Sequence, residues 1–421
     1  MTGRKPGSKR RTVLRNLASI ATGSALFAGT VGATSKRQQK AETTEFGERV
    51  PFGQAKKVAT AARQRYAHRA YQSWKGATVG KPRKFFTKIK LNTRKQYVPT
   101  AYVFPVRSSH SPVGYLTISA RKKWSPVLEA STADPPGLDE HSVKNMARQQ
   151  GERPTGTYLY RGATTYSVEL ESGKQLYLNT GLKEGMTAET PQLEVEKHGE
   201  SVESQWSTAD TIPTGDVQIQ GSYGIVNGIE PWDANGGSGS LSGSDEGGAD
   251  TSVPELYGNT PDKWEEWDGC APFAGAQILM YHEGISVSDI EQREEIADRL
   301  HVLMETDPDG WTGYRMPRKG ITKYPTSEVE HDYTGHDELW LSKKMFRNEI
   351  DAERPFMLNI PSNKGVKSDE KSYTGHTVVV HGYYESDNGF DVIHYNSWNT
   401  NEHRMQFGNW PINTWGTRVV H

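Results

Sequence analysis

An α+β fold is the class this sequence predicts, and three observations predict it. The single cysteine of the 421-residue chain, Cys270, opens a helical pattern at Gly269-Cys270-Ala271-Pro272. Two β-rich runs follow much later, Gly375-His376-Thr377-Val378-Val379-Val380-His381-Gly382-Tyr383 and Phe390-Asp391-Val392-Ile393-His394-Tyr395-Asn396-Ser397-Trp398. They are separated by the turn signal Ser386-Asp387-Asn388-Gly389 and read as a hairpin. Ahead of all this lies a region that starts as a helix and continues as strands, the pattern of a second α+β layer.

The chain begins with Arg10-Arg11-Thr12-Val13-Leu14-Arg15, an apolar Gly/Ala-rich stretch over 17–31, and a cleavage pattern at Val31-Gly32-Ala33. This resembles a twin-arginine export signal over residues 1–33, which implies a secreted, extracellular protein folded before export from a prokaryotic cytoplasm. The stretch is short for a span, and no later run approaches membrane length, so no membrane partner is expected after signal removal.

Residues 45–215 read as the leading α+β region. A basic helix is predicted over 54–71 because Ala55, Val58, Ala62, Tyr66 and Ala70 fall near one face. Strands are predicted over 97–106, 113–119, 157–170 and 175–178. Residues 216–250 thin into Gly236-Gly237-Ser238-Gly239-Ser240 and a second Gly-rich run over 243–248, which predicts a linker. Residues 251–421 form the third part. Pro272 suits a first helical turn, and Ala274, Ile278, Leu279 and Tyr281 continue the helix to Gly284. Ser288-Asp289-Ile290-Glu291 reads as a capping box opening a helix with Ile290, Ala297, Leu300 and Met304 inward. Another helix is predicted over 337–350, with Leu341, Met345 and Ile350 inward, leading into a strand over 356–360.

Charge divides along the same line. Residues 251–421 carry 16 Lys/Arg against 28 Asp/Glu, whereas the preceding 250 carry 34 against 23. Opposite signs favour docking of one part on the other. The basic residues are dispersed without aromatic interleaving, so nucleic acid is not expected as a partner. Hydrophobic content of 34% supports modest cores and excludes a membrane protein.

Exported proteins usually spend cysteine in pairs, so a lone thiol is either a small buried hydrophobe or a reagent. At a helix N-terminus the dipole favours thiolate over thiol, which favours the second reading. A thiolate needs a base. Of the 13 histidines, His376 and His381 lie in the strongest β run, five apart and therefore on opposite faces, so residue spacing leaves the choice open. Asn396, at the far end of the second run, is placed to orient an imidazole.

These residues resemble the papain-like cysteine peptidases, and within them the C39-like group, with a looser likeness to streptopain. The resemblance rests on Asp268-Gly269-Cys270-Ala271-Pro272 with Ala274-Gly275-Ala276-Gln277-Ile278-Leu279-Met280-Tyr281-His282, on Glu353-Arg354-Pro355-Phe356-Met357-Leu358 before Gly375-His376, and on Asn396-Ser397-Trp398. It covers about residues 251–421. It implies a Cys-bearing helix packed on an antiparallel sheet carrying His and Asn, with Cys270 as nucleophile, His376 as general base and acid, and Asn396 orienting the histidine. The substrate implied is a peptide or protein, with no cofactor and no metal. The leading region, whose Tyr102-Val103-Phe104-Pro105 and Pro112 to Ala120 segments resemble streptopain-like pro-regions, is expected to act as an intramolecular pro-domain that holds the enzyme latent.

Two departures stand out. The Gln that papain-like enzymes place five or six residues before the cysteine is replaced by Glu265 and Trp264, and a carboxylate is the wrong charge for an oxyanion hole. The Cys270–His376 spacing of 106 residues is shorter than the roughly 130–150 of the papain signature, which fits a trimmed domain. Two rival readings follow: a catalytically inactive peptide- or surface-binding module, and an acyl transferase or amidase using the same triad. His331 and His336 with Asp332 and Asp337 match no standard metal spacing, and Asp307-Pro308-Asp309-Gly310 lacks the rest of a calcium loop.

Overall fold

The computed structural model describes residues 47–91, 94–109, 111–162, 164–178, 201–209, 221–232, 269–306, 310, 312–325, 331–361, 374–387, 389–411 and 413–421. The leading region contributes helix α1 (Phe52–Arg69), strands β1 (Thr78–Val79), β2 (Arg83–Leu91), β3 (Arg94–Ser108), β4 (Ser111–Ser119) and β5 (Val127–Ser131), and helix α2 (Glu140–Gln149). Strands β6 (Pro154–Tyr160), β7 (Tyr166–Leu170) and β8 (Gln175–Tyr177), helix α3 (Ser201–Thr208) and strand β9 (Ser222–Ile225) follow. The rest comprises helices α4 (Cys270–Glu283), α5 (Ile290–Leu303) and α6 (Met316–Lys323), strand β10 (Thr334–Glu338) and helix α7 (Lys343–Asp351). Strands β11 (Phe356–Pro361), β12 (Thr374–Ser386), β13 (Gly389–Tyr395), β14 (His403–Gln406) and β15 (Trp415–Val420) complete it. No helix of the described residues is long and apolar enough to cross a membrane.

All fifteen strands join one sheet, in the order β10-β15-β11-β12-β13-β14-β5-β4-β3-β2-β6-β7-β8, with β1 beside β3 and β9 beside β12. Residues 48–421 form one compact unit. The leading strands and the later ones meet where β5 pairs with β14, through Ser131↔His403, Ala130↔Arg404 and Glu129↔Met405.

Among the described residues, three apolar cores stand out. Helix α1 buries Ala55, Val58, Ala59, Ala62 and Tyr66 against Tyr102, Phe104, Leu116 and Ile118, so the helical face read from the sequence is the one that packs. Strands β11 and β12 are buried on both faces, which is why they read as continuous apolar runs. Met357 and Val379 belong to the core under α4 and α5, whereas Phe356, Leu358, Val378 and Val380 belong to the core under α7, with Phe346 and Trp410. Helix α4 is buried at every position from Cys270 to Met280. At about 1.5–3 kcal/mol for each fully buried Ile, Leu or Phe side chain, Phe273, Ile278 and Leu279 make it a principal source of stability.

The structure corrects several expectations. The run predicted as one strand over 157–170 is two strands, because Gly162 (φ 82°) and Thr164 (φ 63°) take left-handed conformations in the turn between β6 and β7. The helix predicted over 337–350 starts later: residues 337 and 338 end strand β10, which finds a partner in β15, and α7 begins only after Ser342, whose Oγ accepts the Met345 N–H at 3.1 Å. The cap of α5 is Asp289, which accepts the Gln292 N–H at 3.2 Å, one residue beyond the predicted capping box at Ser288. Within 216–250, residues 221–232 are built into the fold: β9 pairs with β12, and Ile229 and Trp232 lie in the α4 core. The Gly/Ser runs at 236–248 and the residues Trp264 and Glu265 lie outside the described residues.

Gly114 marks the tightest approach in the leading sheet. Its φ is 144°, and a Cβ there would sit 2.3 Å from the Ser131 carbonyl oxygen and 2.8 Å from the Trp74 ring. Backbone strain of this kind costs on the order of 1–3 kcal/mol, and the clash adds to it. Gly114→Ala is therefore expected to lower the urea midpoint by the equivalent of at least about 2 kcal/mol, and an unchanged midpoint would show that β4 yields at this point.

Candidate active site

Cys270 is the first residue of α4. Gly269 precedes it with φ 98°, a conformation that suits glycine, and a Cβ there would meet the Gly310 carbonyl oxygen at 2.5 Å. The first helical hydrogen bond runs from the Phe273 N–H to the Gly269 carbonyl at 3.2 Å, so Pro272 falls in the turn where its missing N–H has no partner to lose. The thiol therefore sits at the positive end of a fourteen-residue helix.

On the sheet side, the Thr377 N–H donates to Cys270 Sγ at 3.2 Å. This places the sulfur at the beginning of β12, one residue from His376. His381 lies four residues beyond Thr377, about 13 Å along an extended strand, and its ring stacks on Tyr395 with centroids 4.2 Å apart. His376 stacks face to face on Trp398, centroids 3.6 Å apart and planes 16° from parallel. Neither ring nitrogen of His376 has a hydrogen-bond partner, so the imidazole is not hydrogen-bonded to the thiol. Asn396 is buried, and its Oδ1 accepts the Trp398 N–H at 3.1 Å; as placed, the amide orders the Asn396-Ser397-Trp398 turn and makes no bond to the imidazole.

That turn is held from the Cys270 helix. Ser397 adopts φ 60°, unusual for a serine, and its Oγ accepts from Gln277 Nε2 at 2.9 Å. Gln277 lies two turns after Cys270 and is buried. Sequence reasoning missed it. The usable signal was one amide inside an otherwise apolar helix, since a buried amide calls for a partner.

Behind Thr377 runs a polar chain. Thr377 Oγ1 donates to Asn359 Oδ1 at 3.1 Å, Asn359 Nδ2 donates to Thr417 Oγ1 at 3.0 Å, and Thr417 Oγ1 donates to Asp337 Oδ1 at 3.4 Å. Asp337 in turn faces the Arg318 guanidinium at 3.3 Å. These bonds satisfy the hydroxyl and amide groups that β11, β12 and β15 bury beside the helix. His331 instead packs its ring toward Tyr333 and His421, so the polar residues of 331–337 do not converge on one centre.

Four histidines line the sheet near the site. His394 and His403 are a cross-strand pair with ring centroids 5.6 Å apart. Burial, with proximity to His394 second, holds His376 and His403 well below the usual imidazole range. Burial pulls His394 down to about 3, and burial aided by His394 and Arg404 brings His381 to about 3. Burial thus favours the neutral form of the His376 imidazole, the form able to accept a thiol proton.

Residues 256–415 match the model of the Peptidase_C39 like family, a stretch that holds Cys270, His376 and Asn396. The C39-like cysteine-peptidase resemblance read from the sequence is borne out over that segment. Among solved structures, the chain is similar to a fragment of Prevotella intermedia prointerpain A carrying a Cys-to-Ala substitution, at 8% identity and a TM-score of 0.37, over 80% of this chain and 98% of that one. No curated protein matches the chain.

Buried neutral histidines make stability depend on acid. They protonate at about 6.5 when unfolded and resist protonation when folded, so the unfolded state binds more protons and stability falls as pH drops from about 6.5 toward about 3. At a pH near 5.5 each of His381 and His394 is expected to cost about 1.4 kcal/mol relative to neutral pH. Urea midpoints measured at the two pH values check this, and His381→Phe, which keeps a ring against Tyr395, is expected to flatten the difference. A pH-independent midpoint would mean that these imidazoles protonate as readily in the fold as in the unfolded chain.

Proposed function

We propose that this protein is a secreted cysteine peptidase that hydrolyses peptide bonds through Cys270, His376 and Asn396, and that its leading region holds it latent. One observation carries the reading: the chain's single thiol, at a helix N-terminus, meets the strand beside His376 through the Thr377 N–H. In the reaction the neutral imidazole takes the Sγ proton while the sulfur attacks the scissile carbonyl carbon. The imidazolium then gives that proton to the departing amine, leaving a thioester on Cys270. Water, deprotonated by the same imidazole, attacks the thioester and releases the acid. The Cys270 N–H is assigned to the oxyanion. Asn396 is assigned to orient the histidine once its Oδ1 turns from the Trp398 N–H.

Latency is supported by burial. Cys270 is 7% and His376 1% exposed, and the His376 ring nitrogens have no hydrogen-bond partner, as expected of a site that has to open before it works. The leading region touches the segment after Trp398 directly: Thr132 Oγ1 donates to Asn401 Oδ1 at 3.0 Å, and Ser131 Oγ to the Glu402 carbonyl at 3.3 Å. The same unjoined pair is the observation that favours the rival reading, an inactive binding module.

Cys270→Ala and His376→Ala are each expected to lower kcat/KM on a protein substrate by about 10⁴-fold or more, and the double variant by no more than either, because nucleophile and base act as one unit. Asn396→Ala is expected to lose less. Iodoacetamide is expected to label Cys270 slowly in the intact chain and faster once the leading region is loosened. Full activity in His376→Ala with loss in His381→Ala would move the base, and absence of thiol-dependent hydrolysis under any condition would leave the binding module. Export through the twin-arginine signal rests on Arg10 and Arg11; Lys at both positions is expected to retain the protein inside the cell, and undiminished secretion would assign another route.

A further inference from the structure

The leading region and the catalytic half are joined in three independent ways. The first is backbone. β14 has β13 on one side and β5 on the other, so removing β5 leaves the β14 edge with unpaired N–H and C=O groups.

The second is a set of buried side chains on either side of that pairing. Glu129, on β5, accepts from the Tyr160 hydroxyl at 2.6 Å, the Thr164 N–H at 2.8 Å and the Tyr166 hydroxyl at 2.8 Å. Asn409, from the catalytic half, reaches into the same cluster, donating to the Tyr160 hydroxyl at 2.7 Å and the Leu128 carbonyl at 3.2 Å. Elsewhere along the join, Arg69 and the Tyr66 hydroxyl both donate to Asp391 Oδ2, at 2.8 and 3.1 Å, and the Arg69 guanidinium lies 4.1 Å over the Tyr384 ring. Parting the halves would strand Asp391 and Asn409 without these partners.

The third is the segment 221–232, which precedes the Gly/Ser-rich stretch and yet is built into the catalytic half. β9 pairs with β12 over Ser222–Ile225. Trp232 packs edge-on against Phe273 at 4.2 Å and under the Arg293 guanidinium at 4.6 Å, and Glu230 accepts the Val287 N–H at 2.7 Å. A chain cut after Trp232 keeps these contacts on its N-terminal piece.

We propose that the leading region is a permanent strand partner of the catalytic half, so that a cut in the Gly/Ser-rich stretch 236–248 yields a two-chain protein and not a free catalytic half. The N-terminal piece then fills two positions at once, the β14 edge through β5 and the α4 core through Ile229 and Trp232. The inference goes beyond the peptidase reading and does not need it. Relief of latency then comes from local opening around Cys270 or from digestion of the leading piece, since the cut alone does not release it.

The test uses the signal-free full chain carrying Cys270→Ala, which removes self-digestion, with a recognition sequence for a site-specific endopeptidase inserted between Gly239 and Ser240. After cutting, both pieces are expected to co-elute on size exclusion at low and at high salt and to separate only in urea. Elution of the N-terminal piece by itself under native conditions overturns the proposal. In the cut protein, Trp232→Ala and Asp391→Asn are each expected to lower the urea concentration at which the pieces part, with uncut versions confirming by circular dichroism that the fold is kept. Parting that is insensitive to both would show that these contacts do not hold the pieces and would overturn the assignment. Because every readout is association in an inactive variant, failure here is separable from failure of the peptidase reading, which is scored on hydrolysis by the intact thiol.

Discussion

Burial of α4 is the constraint on which the rest of this molecule depends. A helix apolar on every side has to be surrounded, and α4 is buried from Cys270 to Met280. One side lies on β11 and β12 through Met357 and Val379, and another is closed by α5, whose Leu300 and Met304 come close enough that a Cβ on Gly275 would meet each at 3.0 Å. Trp232 covers Phe273. These neighbours fix the helix axis, and the axis fixes where its first residue, the thiol, meets the sheet.

The site is polar chemistry embedded in that apolar packing, and its groups are ordered from behind. Gln277 ties the Ser397 turn to the helix, while Thr377, Asn359 and Thr417 carry a hydrogen-bonded line from the sulfur's neighbour to Asp337 and its arginine. Each supporting group comes from a different element, so the thiol's surroundings are set by the tertiary fold and not by one loop. Dense burial also favours neutral imidazoles, the form that suits a proton acceptor.

Much of this was legible in the sequence where a local pattern decides the structure. The Cys270 helix, its stop at Gly284, the α1 face and the hairpin closed by Ser386 and Gly389 follow from periodicity and turn chemistry. The thiol and the strand histidine were visible as types in the right context, although parity alone left His376 and His381 undecided. What stayed hidden depends on partners distant in sequence. Residues 334–338 become strand because β15 lies beside them, and 221–225 because β12 does. The break at Gly162 and Thr164 was obscured by the β-forming tyrosines and threonines around it, which carry the same propensity on both sides of a turn.

The position of β15 has a consequence for biosynthesis. Although it follows every other described element in sequence, it is inserted between β10 and β11 and not added at an edge. The strands that face Cys270 therefore lack an interior member until the ribosome has delivered residues 415–420, while the leading sheet, built from near-neighbour hairpins such as β2–β3 and β3–β4, has all its parts far earlier. During that interval the residues of β5 are at hand to pair with β14 as it emerges. Vectorial synthesis thus delays the thiol's final environment until residues 415–420 have been made, and a nascent chain that stops short of them carries the thiol without the full sheet that positions it.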